Sequence, residues 1–294
     1  MATRKPPLAF LLAASALVLH ASRADAYCQT TLCANDRSGV ACSPAQANDC
    51  GAPLHWAQGC FGYSLAERAS LRVDYASLAS AMQSAATAWT ATDCGMGAKP
   101  GVVVFDLGPV ACDQREYNLQ GGNANIVLVH DDEWPYTGAG STLALTTVTF
   151  DLDSAAIFDA DLEINGTVDL TTGDKKVQFD LTSIVTHEMG HMLGMAHSAT
   201  LDATMFIQYQ AGDIGLRTLT KDDGAGLCET YPPADVSACD PTPRRGLATI
   251  CDPPPPEPEG CTCSLASHHR NPVHAAWGTL ALVLAAAARR KPRR

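Results

Sequence analysis

Apolar residues recur every three to four positions across residues 74–89, at Leu78, Met82, Ala85 and Trp89. That period predicts an amphipathic helix packed on a sheet. The β-branched runs at residues 102–107 and 126–129 are short and predict buried strands. Residues 143–150 are rich in threonine and alternate, as an edge strand does. From residue 181 the spacing turns helical again and runs to 193, with Asp180 or Thr182 as the candidate cap. The pattern predicts an α+β domain: a twisted mixed β-sheet, two long helices and a short C-terminal helix.

The end of the second long helix carries the chemistry. Residues 186–197 read T-H-E-M-G-H-M-L-G-M-A-H. His187 and His191 are four apart, so a helix stacks them on one face, where two imidazoles can reach one metal ion. Glu188 sits beside the first histidine, placed to bond a metal-held water and not to act as a ligand. Gly194 can take the left-handed conformation that ends a helix and reverses the chain. The reversal would return His197 as a third ligand and leave a fourth position open. A lone histidine is usually a surface or satisfied core residue, and H-E-x-x-H alone arises by chance. A third histidine at the required offset, with glycine between, is what makes this a zinc site.

These residues form the pattern H-E-x-x-H-x-x-G-x-x-H, and Met205 follows eight residues later in A-T-M-F. The chain therefore resembles the metzincin zinc peptidases, and Ser198, directly after His197, is as in their matrixin branch. Residues 53–65, 156–165 and 219–231 are similar to the opening strand, the strand before the active-site helix and the closing helix of matrixin-type domains. The resemblance covers roughly residues 51–233. It implies a metzincin-like catalytic domain with His187, His191 and His197 as ligands of one catalytic Zn2+ and Glu188 as general base. Met205 would be a hydrophobic floor under the metal, and strand 143–150 would pair with the substrate backbone. The structural zinc of animal matrixins is not implied, because residues 143–146 read L-A-L-T where those enzymes place a histidine. The expected activity is zinc-dependent endopeptidase, with protein or peptide substrates.

Both ends of the 294-residue chain read as addresses. Residues 1–26 have a basic start, an apolar stretch and an A-x-A site at Ala24 to Ala26, the form of a secretory signal peptide. Residues 27–50 are cysteine-rich with little apolar period. C-G-A-P from Cys50 faintly resembles the matrixin cysteine switch, although disulfide pairing is the role expected for Cys50. The proline-rich stretch in 234–260 reads as a linker. In 261–294, Cys261 and Cys263 precede an apolar run at 275–288 and a basic end, which resembles a myxobacterial surface-sorting tail. The apolar run is short of the ~20 residues of a comfortable span. A plain tail anchor stays open as the alternative, and membrane association is expected only through this tail.

Between residues 27 and 260 stand 11 Lys and Arg against 30 Asp and Glu, a net charge of −19. Such a surface repels a phosphate backbone, so nucleic acid is excluded as a partner. Twelve cysteines suit an oxidising compartment. Calcium is a further candidate ion, at Asp151, Asp153, Asp159, Asp161 and Glu163, although carboxylates alternating along a strand also describe a solvated face. Two other function classes stay open: a surface adhesion protein using a metzincin scaffold without proteolysis, and a zinc hydrolase acting on a non-peptide bond.

Overall fold

Asp74 is extended, and its carboxylate accepts a hydrogen bond from Ser77 N at 2.9 Å, which starts helix α1 (Tyr75–Thr90). This computed structural model describes residues 27, 29–31, 52–68, 70–136, 141–251 and 280–286. The apolar face of α1 buries Leu78, Ala81, Met82, Ala85, Ala86 and Trp89, in register with the expected period. Trp89 closes the helix inside the core, and its indole N–H donates to Thr186 O at 2.8 Å. A buried indole needs such a partner.

Strands β1 (Cys60–Ala66), β2 (Val103–Val110), β3 (Ile126–His130), β4 (Thr142–Phe150) and β5 (Ile157–Asn165) form a sheet in the order β2-β1-β3-β5-β4. The pairs β1–β2, β1–β3 and β3–β5 are parallel, and β4 alone runs antiparallel to β5. A small parallel ribbon joins β6 (Leu170–Thr171) and β7 (Phe179–Asp180). Helix α2 (Leu181–Met192) packs on α1 and on β4, so the histidine-bearing segment lies at the centre of the main core. After it come β8 (Gln208–Tyr209), a 3-10 turn at Gly215–Arg217, and α3 (Lys221–Thr230). The α+β class, the mixed sheet, the two long helices and the short last one are as the sequence predicts.

Of the two candidate caps one is used, and three further features differ from the sequence reading. The cap of α2 is Asp180, which accepts from Ser183 N at 2.8 Å, and not Thr182. Strand β4 is not a free edge: its outer side carries β9 (Leu280–Ala286), antiparallel, and β9 in turn pairs parallel with β8. Asp159, Asp161 and Glu163 on β5 are buried and do not form a solvated face. A second apolar cluster groups Ala66, Val110, Cys112, Ala124, Ile126 and Leu128, with Leu247 and Cys251 packed against it. Residues 234–251, which composition assigns to a linker, are packed on the domain. Disulfides Cys60–Cys239 and Cys112–Cys251 hold them, and a third bridge, Cys94–Cys228, ties the end of α1 to α3. Covalent closure of such long loops overrides the weak apolar content of that stretch.

Residues 1–26, Cys50, Cys261 and Cys263 lie outside the described residues. Among the described residues no helix is long and apolar enough to cross a membrane.

Asp180 does two jobs. Besides capping α2, its buried carboxylate takes both Nε and Nη2 of Arg217, at 2.8 and 2.5 Å, which pins the 3-10 turn to the helix start. Asp180→Ala removes the cap and one of the two carboxylates that hold Arg217, which keeps Asp174 at 2.7 Å, so it should cost about 1–3 kcal/mol. A urea unfolding midpoint within error of wild type would refute that account.

Candidate metal centre

The three histidines predicted from sequence meet in one buried spot. His187 Nε2 and His191 Nε2 are 3.1 Å apart, and His191 Nε2 and His197 Nε2 are 3.2 Å apart. The outer nitrogens face backbone oxygens: His187 Nδ1 lies 2.7 Å from Thr204 O and His191 Nδ1 lies 2.8 Å from Met195 O. A carbonyl can only accept, so both rings carry their proton on Nδ1 and turn an Nε2 lone pair inward. Lone pairs facing one another at this distance share no proton and need a cation between them. A tetrahedral zinc with bonds of about 2.0–2.1 Å places its ligand nitrogens about 3.3–3.4 Å apart. The donor set therefore fits zinc in type and in spacing.

The chain reversal that returns His197 depends on two glycines. Gly194 has φ +90°, and a Cβ there would collide with Leu54 O. Gly190, inside α2, faces Met205 Sδ and the Trp89 ring so closely that a Cβ has no room. Met205 is thus buried against α2 at Gly190. Its turn is fixed by a residue that sequence reading missed. Asp223 Oδ1 accepts from Met205 N and Oδ2 from Thr204 N, both at 2.9 Å. Asp223 is also N3 of a capping box with Thr220, which starts α3. The T-x-x-D signature reveals the cap, but not the reach across to the Met205 turn. Ser198, singled out beside His197, donates from Oγ to Asp222 Oδ2 at 2.5 Å and so joins the same helix start.

Glu188 is buried between these parts. Its Oε2 accepts from Thr146 Oγ1 of β4 at 2.6 Å, while Oε1 has no hydrogen-bond partner. Burial pushes the carboxyl up to about 8, against the opposing pull of the Thr146 hydrogen bond. An orphaned carboxylate oxygen in a dry site is poised to take a proton. Thr146 was not picked out from sequence, because 42 residues separate it from Glu188 and nothing local signals the contact.

The five acidic candidates for calcium are split by the fold. Asp151 caps its own turn by accepting from Ser154 N and Oγ, both at 2.8 Å, and from Asp153 N at 3.1 Å. Glu163 accepts from Tyr136 OH at 2.6 Å and lies 2.8 Å from His130 Nε2. Burial, together with the charge of Asp161, drives the Asp159 carboxyl well above its ordinary value, and burial does the same to Asp161. Asp161 Oδ1 is used by Ile126 N at 2.9 Å.

Desolvation also sets the protonation of the imidazoles. It brings His187 down to about 4 and His197 down to about 3, and holds His191 well below its ordinary range. Neutral rings are the metal-binding form. In chelator, the unfolded chain binds more protons than the folded one below the ordinary histidine value of 6.5, so stability falls as pH drops from there toward 4. Glu188 acts oppositely, because its folded value lies above the ordinary 4.5, and stability falls as pH rises toward 8. The buried Asp159 and Asp161 carboxyls, also raised, act in the same direction as Glu188, so the share of the rings is read by removing one of them. In chelator, His191→Gln should lose less stability than wild type between about pH 6.5 and pH 5. An equal loss in both chains would contradict this.

Comparison with known proteins agrees with the geometry. Residues 120–232 match the matrixin family profile. Human matrilysin is 32% identical over 116 residues, which is 37% of this chain and 41% of that protein. Soybean (Glycine max) metalloendoproteinase 1 is 36% identical over 125 residues, 40% of this chain and 39% of that protein. Mouse matrix metalloproteinase-25 is 29% identical over 133 residues, covering 40% and 20% respectively. The chain thus spans about two fifths or less of the length of these curated relatives. Residues 120–232 are thus similar to the matrixin family, and the three-histidine cluster lies within the matched stretch.

Proposed function

We propose that this chain is an exported, zinc-dependent endopeptidase. The observation that carries the reading is the convergence of three Nε2 atoms beside a buried glutamate with one unpartnered oxygen. His187, His191 and His197 would hold the ion. Zinc, when bound, supplies Lewis-acid chemistry: it polarises a carbonyl and acidifies water.

The protein's own groups do the rest. Glu188 Oε1 takes a proton from the attacking water and passes it to the departing amine nitrogen. Thr146 Oγ1 holds Oε2, which fixes the carboxyl plane and leaves Oε1 for the proton. The carbonyls of Thr204 and Met195 hold two rings in the tautomer that turns Nε2 inward. Asp223 keeps the Thr204–Met205 backbone in place to do so. Substrates are internal peptide bonds of proteins, in keeping with the similarity to a metalloendoproteinase. Export rests on the signal-like residues 1–26, and the three disulfides among the described residues fit an oxidising compartment. Retention through residues 261–294 is the corresponding proposal for location.

Glu188→Gln should keep one zinc per chain and lower gelatin hydrolysis by about 10²- to 10⁴-fold. His197→Ala should lose the zinc, measured by metal analysis of the purified chain. Full hydrolysis by the Gln variant, or hydrolysis unaffected by chelator in wild type, rejects the reading. Thr146→Val should keep zinc and KM while lowering kcat about tenfold or more, through a misplaced Glu188. An unchanged kcat would show that the hydroxyl has no positioning role.

A further inference from the structure

Strand β9 occupies a particular place. It lies between β4 and β8, pairing with Thr142 and with Leu145 to Val148 on one side, and with Gln208 and Tyr209 on the other. Those two partners flank the metal centre. Leu282 stands opposite Thr146, the residue whose hydroxyl holds Glu188. Strand β8 begins three residues after Met205, in the segment whose Thr204 carbonyl fixes the His187 ring. Paired strands are about 4.8 Å apart. The backbone of residues 280–286 therefore runs through the gap between the base-holding strand and the Met205 segment.

An extended peptide adds to a sheet edge through main-chain hydrogen bonds, largely irrespective of its side chains. The outer edge of β4 is the edge next to Glu188, and β9 already uses it. A substrate backbone would need the same N–H and C=O groups of β4. We propose that residues 280–286 are an internal plug: the chain's own C-terminal strand fills the substrate groove and holds the enzyme latent until that strand is withdrawn. The proposal rests on the peptidase reading above. Its consequence is that the event which removes the tail, by cutting or by drawing it into a membrane, opens the site.

Consecutive residues of a strand point their N–H groups to opposite sides. Residues 282 and 283 both face β4, whereas β8 pairs only with Ala285 and Ala286. Of Leu282→Pro and Val283→Pro, made separately in the full chain, one therefore removes a bond to β4 and the other an N–H on the opposite side that β8 does not use. At least one variant should raise kcat/KM on a fluorogenic peptide tenfold or more over wild type. The same variant should speed hydrogen exchange at the β4 amides that face away from β5. Equal turnover in wild type and both variants, with exchange unchanged, overturns the plug and leaves the peptidase reading standing. Zinc-loaded variants with faster exchange but no hydrolysis keep the seating of β9 and overturn the peptidase reading. A wild-type chain found by intact mass to be cut within 280–286 on incubation with zinc also overturns the plug, since the strand would then be a substrate.

Discussion

Two backbone carbonyls, of Thr204 and Met195, decide which nitrogen of His187 and His191 carries the proton, and the metal centre depends on that choice. If either ring were turned over, a proton would point at the neighbouring nitrogen and the cluster could hold no cation. The carbonyls are themselves placed by backbone reversals that leave no room for side-chain atoms. Gly194 passes over Leu54, and Gly190 lies against Met205. The sheet, the helices and the disulfides can be understood as the frame that keeps those reversals in register.

Burial gives the site its electrical character and also its cost. Imidazoles kept neutral by desolvation and a carboxyl pushed up by it are uncomfortable without an ion. A cation relieves them together, so metal binding and folding stability are linked through the same groups. Asp223 extends that linkage to α3, because one carboxylate starts the helix and suspends the Met205 turn. Asp180 does the equivalent for α2 and the 3-10 turn.

Much of this was legible in the chain. The α1 stripe and the α2 motif depend on spacing within one helix, and short-range geometry survives folding unchanged. The partners that position the motif were not legible, because Thr146, Asp223 and Arg217 reach it across long loops with no local signature. The carboxylates of β5 misled for a different reason. Alternation marks one face of a strand, but it does not say whether that face meets water, and here Asp159, Asp161 and Glu163 are buried. The apolar run near the C-terminus was ambiguous in principle, since an unbroken run of that length serves equally as a membrane element or as a strand.

The Cys112–Cys251 bridge ties residue 251 to the segment that follows β2. From that fixed post only residues 252–279 lead to the strand at 280–286. Because residues 280–286 belong to the same chain as the groove, their pairing is an intramolecular event. A rival peptide in solution must outcompete a neighbour that never diffuses away. A cut between residues 251 and 280 would let that neighbour dilute, without changing a single contact in the groove.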